Sequence, residues 1–172
     1  LRPWAATSWL AEEAEIDSYV VGLIERARAE RSPDRPWCMV LAGDFLDLVG
    51  VSLPLSVGRA RTEPTDEERR HGLGSAQDHV VEKVEAIAAR HPRVMQALCA
   101  FLNDGHHLVV VRGNHDIELH WRAAQQAFID AVVAHEPRDA RRAELAKQIT
   151  ICPWFFSVKG LLHVEHGHEF DA

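Results

Sequence analysis

Leu108-Val109-Val110-Val111-Arg112-Gly113-Asn114-His115-Asp116 is the stretch whose reading decides the fold. Leu108 to Val111 are apolar without alternation, the pattern of a strand covered on both faces. Gly113 turns the chain, and Asn114, His115 and Asp116 follow at the strand's carboxyl end. Ile117-Glu118-Leu119-His120-Trp121 then opens a helix expected to run to about His135, with Trp121, Ala124, Phe128 and Val132 on one face. A strand feeding a helix through a polar turn is the unit of open α/β sheets, where ligands sit beyond the carboxyl ends of the strands.

Two other stretches share this grammar. Met39-Val40-Leu41-Ala42 runs into Gly43-Asp44-Phe45-Leu46-Asp47, and Leu161-Leu162-His163-Val164 runs into Glu165-His166-Gly167-His168-Glu169-Phe170-Asp171. Three apolar segments thus each end in carboxylate, amide or imidazole, the donors of hard and borderline divalent metals. Singly, each residue has an ordinary reading. An Asp after Gly is a turn former, Asn114 a turn residue, and a lone His-x-His a weak signal. Their repetition at three strand ends gives the pattern its weight.

Outward from these stretches, a helix is expected from Thr7 or Ser8 to Arg31. Glu12, Glu13 and Glu15 lie near its start, Arg26, Arg28 and Arg31 near its end, and Ile16, Val20, Leu23 and Ala27 form an apolar stripe. Trp37 to Ala42 is expected to be a doubly covered strand. Residues 48–74, apolar up to Val57 and then charged and Gly-rich, read as an insertion or lid beside the site. Ser75 is expected to cap a helix reaching Arg90 with Val80, Val81, Val84, Ile87 and Ala88 inward. After Pro92, Val94, Met95, Leu98, Cys99 and Leu102 mark another helix, ended by Asn103-Asp104-Gly105. A short helix from about Asp139 to Gln148 precedes two strands, Ile149 to Val158 and Leu161 to Val164, joined by a Lys159-Gly160 turn. The expectation is one α/β domain with a mixed β-sheet core flanked by helices.

Composition narrows the function classes. The 172 residues carry a formal net charge of −7, which argues against broad binding to nucleic acid or anionic lipid. Cys38, Cys99 and Cys152 have neither C-x-x-C spacing nor an even count, so a reducing, cytoplasmic setting is expected. No segment has the roughly 18 apolar residues of a membrane span. The Ser-nucleophile elbow, the P-loop and the dinucleotide fingerprint are all missing. Oligomeric state and substrate are not legible.

Gly43-Asp44-Phe45-Leu46-Asp47 resembles the G-D-x-x-D motif of the calcineurin-like metallophosphoesterases, and Gly113-Asn114-His115-Asp116 their G-N-H-[D/E] motif. Glu165-His166-Gly167-His168 is similar to the later motif in which a strand-end His precedes Gly. The order along the chain agrees. The resemblance implies an α/β/β/α sandwich that hydrolyses phosphomonoesters or phosphodiesters with two Mn, Fe or Zn ions and a bridging water. It implies that Asp44 bridges the ions and that Asn114 and His166 bind one of them. His115 is then the group beside the leaving oxygen, held by Asp47, and Asp116 buttresses the loop. His168 stands beside the ligands or faces substrate, with Glu169, Asp171, His163 and His120 as lesser neighbours.

The family opens with D-x-H ahead of the G-D-x-x-D motif and closes with G-H-x-H; no D-x-H precedes Asp44, and G-H-x-H does not occur in this sequence. The segment is therefore expected to be an internal piece of a larger enzyme, incomplete at both ends. Alone it is expected to hold at most one ion, weakly, with little turnover. The competing expectation is a non-catalytic binding or scaffold domain with a degenerate metal site.

Overall fold

In the computed structural model, residues 8–30, 34–53 and 60–168 are described, with side chains from residue 15 onward. The architecture is α/β. Among the described residues, six α-helices accompany a three-stranded parallel sheet and a separate two-stranded antiparallel sheet. Strands β1 (Cys38–Ala42), β2 (His107–Val111) and β3 (Ile149–Cys152) pair in the order β1-β2-β3. Ala42 is in register with Val111, and Val111 with Cys152. All three strands therefore finish at one edge, which brings Gly43-Asp44 beside Gly113-Asn114.

Strand β2, flanked by both neighbours, is buried from Leu108 to Val111, as its unbroken apolar run implies. Strand β1 departs from expectation. Cys38 and Ala42 are exposed, and Met39 to Leu41 only half-buried, because β1 stands at the sheet edge with one pairing strand among the described residues. The expected strand Ile149 to Val158 divides at Pro153-Trp154. Its first half joins the parallel sheet as β3, and its second half becomes β4 (Phe155–Val158). Strand β4 pairs antiparallel with β5 (Leu162–Glu165) across a turn in which Gly160 has φ 74°. The hairpin carries the chain out and returns Glu165 opposite Phe155, close to where β3 ended. That return places His166 at the common edge of the parallel strands.

The helices build the core. Helix α4 (Pro92–Asn103) starts with proline in its first turn and is followed by Gly105 at φ 90°, the left-handed conformation glycine tolerates. Its apolar face, including Leu98, Phe101 and Leu102, lies against β2. Helix α3 (Gln77–Arg90) packs on α5 (Arg122–Val133), burying Val80, Val84, Ala124, Phe128 and Val132. Helix α6 (Asp139–Ala146) buries Leu145. Helix α1 (Ser8–Ala29) turns Ile24 rather than Leu23 toward α4. Val20, Ile24 and Ala27 form its packed face, while Ile16 and Leu23 stay exposed.

Two local expectations are also corrected. The helix after Asp116 is broken. A 3₁₀ turn spans Ile117–His120, Trp121 adopts extended backbone (φ −71°, ψ 122°), and α5 starts after it. Ser75 does not cap α3. Its hydroxyl donates to Glu118 Oε1 (3.0 Å), and Ala76 takes the cap position. Within residues 48–74 lies a short helix, α2 (Asp66–His71), opened by a Thr65/Glu68 capping box. This segment folds over the polar side of α3. Asp78 accepts from the Arg61 and Thr62 amides, and buried Lys83 donates to Leu48 O at 3.1 Å.

Candidate metal centre

Two turns and one strand end build the site. After β1, Gly43 (φ 90°) and Asp44 (φ 53°) both take left-handed backbone, reversing the chain so that the Asp44 carboxylate faces the end of β2. Asp is among the residues that tolerate this region. A Cβ on Gly43 would run into the His166 ring, and one on Gly113 would come within 2.7 Å of the Asp44 amide nitrogen. Both glycines are set by close approach between segments.

Asp116 holds the two turns together. Its carboxylate is fully buried, with Oδ1 accepting from Gly113 N (2.6 Å) and Oδ2 from Phe45 N (3.0 Å). Burial pushes the carboxyl pKa above its usual range, against the pull of these amides. Leu48 N donating to His115 O (3.0 Å) adds a second tie.

Asp44, Asn114 and His166 converge. His166 Nε2 lies 3.1 Å from Asp44 Oδ2 and 3.0 Å from Asn114 Oδ1. On the other side of the ring, Nδ1 is 3.0 Å from Ala42 O. A carbonyl oxygen can only accept, so Nδ1 carries the proton. In neutral His166, Nε2 is then a bare lone pair aimed at two oxygens. Three electron-rich atoms meet with nothing between them to share, unless the ring takes a second proton or a cation lies among them. A histidine that gives one N–H to a backbone carbonyl and leaves the other nitrogen bare is the usual metal-binding state. Donor separations of 3.0–3.1 Å match adjacent positions around a six-coordinate ion with bonds of about 2.1 Å. The donor set fits one ion. Among the described residues, no group of three or more His, Cys, Asp or Glu side chains is placed to hold a metal, the third donor here being an amide.

Beside this triad stands a second pair. His115 Nδ1 is 2.9 Å from Asp47 Oδ1, which also accepts from Gly50 N at 2.9 Å. The His115 backbone N–H donates to Asp44 Oδ1 (2.9 Å), linking pair and triad. The Asp47 hydrogen bond, helped by the nearby carboxylates of Asp44 and Asp116, raises the His115 pKa. Desolvation works against the Asp47 charge. The bonds from Gly50 and His115 outweigh it and hold that carboxyl below its usual range. A carboxylate accepts only, so the His115 Nε2 is the nitrogen left to act.

The remaining candidates divide. His168 stacks near His166 with ring centroids 5.3 Å apart, and its buried Nδ1 has no hydrogen-bond partner among the described residues. It belongs to the neighbourhood and not to the triad. His163 pairs with Glu165 (3.3 Å) on the hairpin, and His120 bonds Ile117 O and rests on Trp121. Glu169 and Asp171 lie outside the described residues. Three contributors escape sequence reading: the Ala42 carbonyl, the Gly50 amide and Arg112, which donates to Pro153 O (2.9 Å) and ties the ends of β2 and β3. Only Gly50 had a legible signal, the Asp-x-x-Gly spacing from Asp47. Comparison of the chain with protein-family models, curated proteins and solved structures finds no match.

Proposed function

We propose that Asp44, Asn114 and His166 hold a divalent cation and that the chain carries the hydrolytic centre of a phosphoesterase, as in the calcineurin-like metallophosphoesterases its motifs resemble. The observation that carries this reading is the His166 ring, its Nδ1 committed to Ala42 O and its Nε2 facing Asp44 and Asn114. When bound, a cation such as manganese, iron or zinc polarises phosphoryl oxygens and lowers the pKa of water. Asp47 fixes the His115 tautomer and favours its imidazolium. His115 can then give its Nε2 proton to a departing oxygen or stabilise the charge there. Asp116 keeps the two turns at the spacing this needs. The proposed substrate class is a phosphomonoester or phosphodiester.

A second reading is a metal-binding or scaffold domain without turnover. One observation favours it: of the two-ion ligand set, the described residues supply three donors for one ion and only Asp44 for the other. Manganese titration separates the readings when joined to hydrolysis of p-nitrophenyl phosphate and bis(p-nitrophenyl) phosphate. Metal-dependent turnover, lost in Asp44→Asn, supports the hydrolase. Stoichiometric binding without turnover supports the metal-binding domain, and no binding removes the hydrolase. Among the described residues, no helix is long and apolar enough to cross a membrane.

A further inference from the structure

The Asp44 and Asp47 carboxylates also form one wall of a cavity of about 700 Å³. It lies between α1, the junction of α3 and α4, and residues 50–53 of the following segment. Its volume is that of a small-molecule site. Away from the two carboxylates its walls are mainly aliphatic, with Val20, Val51, Leu53, Ile87, Val94 and Met95, and carry Asp17, Ser52, Arg90 and His91 as polar members. Of the other polar groups there, Asp17 and His91 satisfy one another at 2.7 Å, so an apolar guest need not leave them unpaired.

We infer that this cavity receives an aliphatic chain belonging to a phosphoester whose phosphoryl group lies at Asp44, Asn114 and His166. The nature of the head group rests on the hydrolase reading; the aliphatic guest rests on the cavity. Aliphatic walls offer a chain dispersion contact and removal from water along its length. Continuity with Asp44 means that head and tail bind as one molecule.

The test is calorimetric titration of the chain with butyl, hexyl, octyl and decyl phosphate, each below its micellar concentration. Affinity is expected to rise by up to about fourfold per buried methylene, and by at least about tenfold from butyl to decyl. Two variants guard against a folding artefact. Val51→Trp fills the cavity from a loop, and Ile16→Asp places a charge at a cavity-lining helix position that is 59% exposed. Both are expected to flatten the chain-length dependence, with circular dichroism unchanged. Equal affinity for butyl and decyl phosphate overturns the inference, as does a gradient that survives in both folded variants. Turnover of p-nitrophenyl phosphate with manganese, measured in parallel, judges the hydrolase reading separately. A gradient without turnover leaves the aliphatic site standing and favours the domain without turnover.

Discussion

Asp116→Ala removes the carboxylate that joins the Gly43–Leu46 turn to the Gly113–Asp116 turn. Two close donors, the buried Gly113 N and the part-buried Phe45 N, lose their acceptor, as does Leu46 N at 3.5 Å. Each close donor orphaned costs about 1–3 kcal/mol, giving roughly 2–6 kcal/mol in all. The lower half of that range applies, because the variant also releases a desolvated carboxylate whose pKa is raised by burial. The expected loss is about 3 kcal/mol, or roughly 6–12 °C in Tm for a chain of this size. Asp116→Asn keeps one acceptor and turns an NH₂ toward the other amide, so about half the loss is expected. Urea denaturation at neutral pH, with metal chelated, gives the numbers. A loss below about 1 kcal/mol in the alanine variant would falsify the view that this buried acid holds the site together.

Other perturbations address the site and its surroundings. His115→Ala should retain bound manganese and lower kcat, as read by metal analysis beside steady-state kinetics; loss of metal would show that the residue is misassigned. Asp47→Asn puts a neutral amide where a carboxylate raises the His115 pKa, so the decline of kcat/KM at high pH should begin at lower pH than in the parent. Gly113→Ala forces a Cβ against the Asp44 amide nitrogen, and both thermal stability and metal affinity should fall together. Glu136, bonded to Arg138 and Asn103, titrates at about 2 against an ordinary 4.5. Its folded pKa is depressed, so its stabilisation is present above about 4.5 and is lost as pH falls toward 2. In Glu136→Gln that part of the acid dependence of the urea midpoint should disappear.

Local periodicity made much of this fold legible. The run from Leu108 to Val111, the 94–102 stripe and the Gly105 stop all appear where the sequence puts them, because neighbouring residues decide them. What escaped depends on distant partners. Nothing around Cys38 reveals that its strand is an edge. The apolar spacing of the 75–90 helix does not reveal that His79 and Lys83 are buried, which follows from the segment before α3 folding over them. Trp121 interrupts a helical pattern, and its indole N–H donates to Ser75 O at 3.0 Å. For the site, residue types and order were readable from three short motifs. The Ala42 carbonyl bond to His166, 124 positions away, was not, since a backbone acceptor leaves no mark on residue identity.

The β4–β5 hairpin that delivers His166 pairs with no other strand among the described residues, and Trp154, Phe155, Val158, Leu161 and Leu162 on it are exposed. Amide exchange should therefore release the hairpin well before β2, since little apolar surface resists its opening. Asp44 and Asn114 sit on turns of the more protected sheet and stay in place during such an excursion. One imidazole would leave while two oxygens remain, so ion retention would follow a local fluctuation and not the global stability of the chain.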